Sequence, residues 1–204
     1  MDWTALVQPL EAHQDPRGSG AVRRSNRQER EAFEAEMVPH LQAAYRLARA
    51  LTGHEQDAED LVQEAYLRAY TAFGRYQRGT NARAWLLTIL RRIYLNGQRR
   101  ANRRPLTFPL SGVHESREPV DLSAPDPEAQ VEQAADRQAV LDALAQLPEA
   151  FRSVLALVDL DGMRYAEAAA VLDCPIGTVM SRLHRGRLEL ARRLQARRTQ
   201  REAG

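Results

Sequence analysis

The sequence predicts an all-α chain built as two helical domains joined by a flexible linker. Three observations predict it. Apolar residues recur at three- and four-residue steps in segments on both sides of the middle. No segment shows convincing two-residue alternation or an internal repeat. Residues 102–127 hold five prolines and no helical period, a stretch of roughly 25 residues that is longer than a compact domain keeps as a loop. The expected organisation is a tail (1–25), a helical domain (26–101), the linker (102–127) and a second helical domain (128–200).

The elements follow in order. Residues 1–25 mix Gly, Pro, Ser and charge without periodicity and read as a mobile tail. Helical patterning begins near Asn26, and Met37, Leu41, Ala44, Leu47, Ala48 and Leu51 form one apolar stripe that Gly53 stops. Ala58, Leu61, Val62, Ala65, Ala69 and Ala72 form a second stripe, ending before Gly74. The segment 74–80 reads as a loop, and Asn81 is a good N-cap for a third helix through about Arg100. Beyond the linker, Asp126-Pro127 opens a helix over about 128–146. Another runs over about 148–161 and is closed by Gly162. A short helix, Tyr165 to Asp173, precedes the turn Cys174-Pro175-Ile176-Gly177, and a last helix runs from near Thr178 to about Arg198.

With 204 residues, 44% hydrophobic and 27% charged, the chain can bury a core. No apolar run approaches the ~20 residues of a membrane span, and the first residues lack a signal peptide's basic and apolar regions. Cys174 is the single cysteine, which excludes an internal disulfide and argues against a cysteine-based metal site. A soluble chain of cytoplasmic type is expected, with no metal or cofactor. All 29 basic residues are arginine, as a GC-rich genome would favour, so their placement carries more than their number. Seven lie between Arg83 and Arg104 without one acid. Nine acids against two arginines occupy 115–149, and eight arginines against two acids follow Pro175. Basic clusters joined by an acidic connector point to a nucleic-acid partner.

Three surfaces are candidates for function. On the second helix, Asp57, Asp60 and Glu64 fall within about 60° of one another beside the apolar stripe. Carboxylates next to apolar surface suit a basic partner, since charge steers encounter and apolar contact holds it. By periodicity alone, a solvated acidic face near a helix N-terminus is the simpler reading. On the third helix, Leu86, Ile89, Leu90 and Ile93 mark a buried side. Trp85, Thr88, Arg92, Asn96, Arg99 and Arg103 line an adjoining face. An aromatic with arginines and an amide can stack on unpaired bases and neutralise phosphates. Trp85 alone reads as core, but seven arginines without an acid shift this face toward nucleic acid.

The third surface is the last helix pair. Ala169, Asp173 and Val179 stand where a helix-turn-helix needs a small residue, a turn residue and an apolar plug. Aspartate tolerates the left-handed backbone that glycine more often supplies there. Val179, Leu183, Leu190 and Leu194 face inward. Ser181, His184, Arg185 and Arg192 face outward, toward base edges and phosphates in a major groove, and Thr178 at the helix start suits a phosphate. An ordinary helical hairpin with a cationic exterior is the competing reading.

Together these residues resemble the extracytoplasmic-function (group 4) sigma factors, the dissociable promoter-specificity subunits of bacterial RNA polymerase. DAEDLVQEAYLRAY (57–70) is similar to the family's core-polymerase-binding segment. GTNARAWLLTILRRIYLN (79–96) resembles the part that melts and reads the −10 element. The stretch 147–190, with GTVMSRLHRGR its most distinctive piece, resembles the region that reads the −35 element. The likeness covers about 29–100 and 130–195, and is closest to the redox- and heat-stress branch controlled by zinc-containing anti-sigma proteins.

The resemblance implies that Asp57, Asp60, Leu61, Gln63 and Glu64 bind the β′ clamp of core polymerase, with the β flap as a further contact. It implies that Asn81, Trp85, Thr88, Arg92, Asn96, Arg99 and Arg103 meet the opened −10 strand. Thr178, Met180, Ser181, Arg182, His184 and Arg185 would read the −35 duplex. It also implies an anti-sigma partner and a linker directed toward the polymerase active site. Relatives more often carry arginine and asparagine where this chain has Thr88 and Arg92, which bears on −10 base preference. A conventional helix-turn-helix regulator, acting without polymerase, is the alternative. An enzyme is not expected: the chain has no glycine-rich phosphate loop, no paired His-x-x-x-His and only scattered histidines.

Overall fold

The computed structural model describes residues 20–103 and 138–202. The expected linker lies outside these residues except at its first two positions, as does the tail up to residue 19. Every regular element among the described residues is helical: α1 (Gly20–Met37), α2 (Leu41–Thr52), α3 (Glu55–Ala72), α4 (Ala82–Arg103), α6 (Glu149–Leu155), α7 (Tyr165–Leu172) and α8 (Ile176–Glu202). Helical residues 138–145 form α5. The backbone of α1 is already helical at Gly20, inside the segment expected to be tail.

The stripe through Met37 and Leu41 is not one continuous helix, as its periodicity suggested. Pro39 sits in a 3-10 turn, Val38–His40, that separates α1 from α2. Proline lacks the N–H that an α-helix interior needs and its ring clashes with the preceding turn. The apolar spacing survives the break, so Met37 and Leu47 are both fully buried. Gly53 ends α2 as expected, with φ +80° and its N–H donated to the Arg49 carbonyl at 2.9 Å.

In the first half, α2 and α3 meet through alanines (Ala44, Ala48, Ala58, Ala65, Ala69), all fully buried. Small side chains let the backbones approach, and Leu86, Leu87 and Leu90 of α4 close the core. An aromatic row runs across it. Phe33 meets Phe73 edge-on at 5.2 Å, Phe73 stacks near Tyr76 at 5.7 Å, and Tyr76 lies 5.0 Å from Trp85. Such pairs are favourable beyond their burial, and here they fix the start of α4.

In the second half, α6 continues into a π-helical turn, Ala156–Leu160, and Gly162 follows with φ +64°. The α7–α8 pair is the helix-turn-helix. Asp173 adopts φ 51° and ψ 54°, the left-handed conformation expected of it, and the Cys174 N–H reaches back to the Ala169 carbonyl at 3.1 Å. Val179 is fully buried as the plug. Gly186 lets α8 press on α6: a methyl there would stand 3.2 Å from Leu155 Cδ1 and 3.3 Å from Phe151 Cβ.

The two halves are packed against each other, and their buried residues form one continuous cluster. A methyl at residue 53 would stand 2.8 Å from Ala145 Cβ, so the α2–α3 turn closes directly on α5. The expectation of two domains with only a linker between them did not anticipate this contact.

Candidate functional site

The acidic face of α3 is solvated at Asp57, Asp60 and Gln63, while Glu64 is half-buried and paired with Arg68 at 2.6 Å. Leu61 does not belong to this surface. It is 7% exposed, because it continues the stripe of Ala58, Val62 and Ala65 into the core. The apolar residue the face does present is Leu67, 45% exposed, with Tyr70 at 40% beside it. At about 100° per residue Leu67 falls between Asp60 and Gln63 around the helix. The signal for it was an apolar residue out of phase with the buried stripe.

The arginines of α4 divide between two sides. Arg83 and Arg91 turn to the second half, where Arg83 Nε donates to Asp161 Oδ2 at 2.7 Å and Arg91 Nε to Glu149 Oε1 at 3.1 Å. Arg92, Asn96 and Arg99 are exposed on the opposite side. Trp85 is partly buried against the core, held by Tyr76, so one part of its ring system is packed and another remains accessible. The Thr88 hydroxyl donates to the Ala84 carbonyl at 2.7 Å and is turned to its own helix. Arg103 is the last residue of α4; its side chain lies outside the described ones.

Asn81 caps α4 through its Oδ1, which accepts from the Ala84 N–H at 2.9 Å. Its Nδ2 donates to Glu167 Oε1 of α7, also at 2.9 Å. This makes Asn81 a bridge between the halves.

On α8, Met180 is 54% exposed and Ser181, His184 and Arg185 are also solvated. Thr178 and Arg182 are half-buried, and Ser181 Oγ donates to the Thr178 carbonyl at 3.1 Å. Ile176, 47% exposed at the first turn, joins Met180 on the leading edge, a residue the sequence reading passed over. The N-terminal turns of a recognition helix are those that meet base edges. The helix is fixed from behind, where Arg187 grips Asp159 with two hydrogen bonds, 3.0 and 2.6 Å.

His40 sits by the junction of the halves, next to Arg83, Asp161 and Glu36. Burial and then the Arg83 charge hold its imidazole below its ordinary pKa. Among the described residues, no helix is long and apolar enough to cross a membrane.

Residues 37–104 match the family model for Sigma-70 region 2, and residues 137–190 match that for Sigma-70, region 4. The ECF RNA polymerase sigma factor SigE of Mycolicibacterium smegmatis is 38% identical over 154 residues, covering 74% of this chain but only 57% of that protein. The ECF RNA polymerase sigma factor EcfG of Rhodopseudomonas palustris is 36% identical over 154 residues, covering 76% and 78%. Among solved structures, the sigma factor RpoE in complex with the anti-sigma factor NepR from Bartonella quintana has a TM-score of 0.62 at 27% identity, over 81% of this chain and 98% of that one. With both region models in order and relatives of this identity, the chain belongs to the ECF sigma factors of RNA polymerase.

Proposed function

We propose that this chain is an alternative sigma factor that docks on bacterial core RNA polymerase and directs it to promoters carrying a particular −35 and −10 pair. The observation that carries the reading is the presence, on one chain, of two exposed cationic faces on different helices and a separate acidic face. The α3 face would dock on the β′ clamp, with Asp57, Asp60, Gln63 and Glu64 supplying charge and Leu67 the apolar contact. The exposed side of α4 (Arg92, Asn96, Arg99) would follow the opened −10 strand, with the accessible part of Trp85 stacking on a base. The leading edge of α8 (Thr178, Met180, Ser181, Arg182, His184, Arg185) would read the −35 duplex, where exposed apolar atoms suit thymine methyl groups.

The chain does no chemistry of its own in this role. It lowers the barrier to strand opening by holding unstacked bases. Stacking is worth about 1–2 kcal/mol per step, and capture of a base on protein returns a similar amount, roughly 1–3 kcal/mol. The work is placed in the cytoplasm, where polymerase is. An anti-sigma partner is part of the proposal, supported by the solved relative's complex with one.

Run-off transcription from genomic promoter fragments tests this, with core polymerase and protein added separately and together. Discrete transcripts that need both components are expected. Tight duplex binding by the protein alone, with no transcripts, would replace this reading by that of a conventional regulator.

A further inference from the structure

We infer that the groove between α6 and α8 is a docking site for the chain's own N-terminal segment, residues 2–15, which when seated shields Arg185 from DNA. The shielding rests on the proposed function; the docking does not.

The groove has a volume of about 350 Å3. Pro148 and Phe151 line it at the start of α6, and Leu188 lines it from α8. It opens beside the close approach that Gly186 permits, where Phe151 Cβ and Leu155 stand in place of a side chain. Leu188, two residues further along, is 49% exposed. Arg185 and Arg192 also line the groove, one helical turn to either side of Leu188. The carboxylate among the lining residues, Glu189, is already neutralised, 3.1 Å from Arg193 and 3.9 Å from Arg192. The groove therefore joins apolar surface to a net positive rim.

That combination selects the chemistry of its occupant. A phosphate backbone would satisfy the arginines and leave the apolar surface wet. An acidic segment with large apolar side chains satisfies both, with charge steering the encounter and apolar contact holding it.

The first residues of the chain have this chemistry. Asp2, Glu11 and Asp15 precede the first base, Arg17, in a chain that holds 29 arginines. Trp3, Leu6, Val7 and Leu10 lie among them. Tryptophan buries more surface in a pocket than other side chains and is the commonest kind of anchor. The other acidic stretch outside the described residues, 115–137, contains no aromatic residue.

Reach and tethering favour the same occupant. The chain from Trp3 to Gly20, where α1 begins, can extend ~60 Å. A body of about 150 residues has a radius of gyration of about 15 Å, so the segment can cross it. A short tether gives an effective concentration on the order of millimolar, at which weak contacts suffice. Once seated, the segment sets its carboxylates against Arg185, one of the residues proposed to read the −35 duplex. Segment and duplex then compete for one guanidinium.

The test uses the full chain with both tryptophans, Trp3 and Trp85, replaced by 5-fluorotryptophan and read by fluorine NMR. Trp3→Phe assigns the two resonances. In the free chain the Trp3 resonance should be shielded, with little shift between H2O and D2O. Leu188→Glu should return it to the exposed position at unchanged helical circular dichroism. If that variant does not fold, Arg192→Glu decides in its place, at a side chain 78% exposed. Trp3→Ser with Leu6→Ser should tighten −35 duplex binding at least about threefold, because a seated segment lowers the competent fraction.

A solvent-exposed Trp3 in the wild type overturns the docking. A shielded Trp3 that neither α8 substitution moves puts the segment elsewhere and overturns this groove as its site. A Trp3 that becomes exposed on dilution is held by a second copy, which overturns the intramolecular assignment. If docking is seen but the segment variant binds duplex as the wild type does, the shielding of Arg185 is overturned. If no variant binds promoter duplex, the proposed function fails and the docking stands.

Discussion

The two arginine-rich helices, α4 and α8, carry similar charge and use it differently. On α4 the split runs around the helix: Arg83 and Arg91 face acids across the junction, while Arg92 and Arg99 face solvent. On α8 it runs along the helix. The first turns keep His184 and Arg185 exposed, whereas Arg187, Arg193 and Arg197 pair with Asp159, Glu189 and Asp142 behind. A positive run therefore says little until each guanidinium is assigned a partner. Neighbours in sequence, Arg91 and Arg92, have opposite surroundings: one is paired across the junction and the other is exposed.

The largest expected effect sets both cationic helices against the acidic one. Asp60→Arg should remove binding to core polymerase, measured by co-purification, while thermal stability stays within about 0.5 kcal/mol, as for other exposed substitutions. Normal promoter-dependent transcription by that variant would show that α3 is not the docking face. Next, Arg185→Ala should weaken −35 duplex binding by about 1–3 kcal/mol and leave polymerase binding intact. Equal loss of both would indicate misfolding.

The comparison within α4 is sharper still. Arg91→Ala should lower stability by about 1–2 kcal/mol through loss of a charged hydrogen bond without changing single-strand binding. Arg92→Ala should do the reverse, leaving the melting curve alone and reducing the salt slope of binding by about one. If both variants behave alike, the two-sided division is wrong.

A smaller effect comes from the turn between α7 and α8. Asp173→Gly relieves a left-handed side chain and should stabilise the second half by up to about 1 kcal/mol, since L-residues there are disfavoured by that order. The smallest is pH. His40 has a depressed pKa in the folded chain, so its neutral form is the stabilising one. Its contribution is present above about pH 6.5, the unfolded value, and is lost as pH falls through the folded value. Arg83 opposes the charged imidazole, while Asp161 and Glu36 moderate the effect. The melting temperature of His40→Gln should fall less on acidification than that of the wild type.

Local order was legible where local rules decide it. The Asn81 cap, the Gly53 stop and the left-handed Asp173 all follow from residue type and spacing, and all three are in the structure. The continuous first helix failed because periodicity does not register a missing N–H, and Pro39 supplies one. Leu61 was read twice, in the apolar stripe by its phase and on the docking face by the resemblance, and its burial at 7% exposure follows the phase. The junction of the halves left no trace at all. Asp161 pairs with residues 78 and 115 positions away, and no pattern along the chain encodes such distance. The charge pattern along the chain could not tell which acids face which arginines.

Gly53 is answerable to both halves of the molecule. Its positive φ ends α2, a condition any glycine-like turn would meet. Its missing side chain also leaves room for Ala145, which a single methyl would crowd at 2.8 Å. Substitution by alanine would thus act as a doorstop, straining the turn and holding the halves ajar while every charge at the junction stays in place. In evolutionary terms, this position cannot drift for the sake of one half without changing how the other closes upon it.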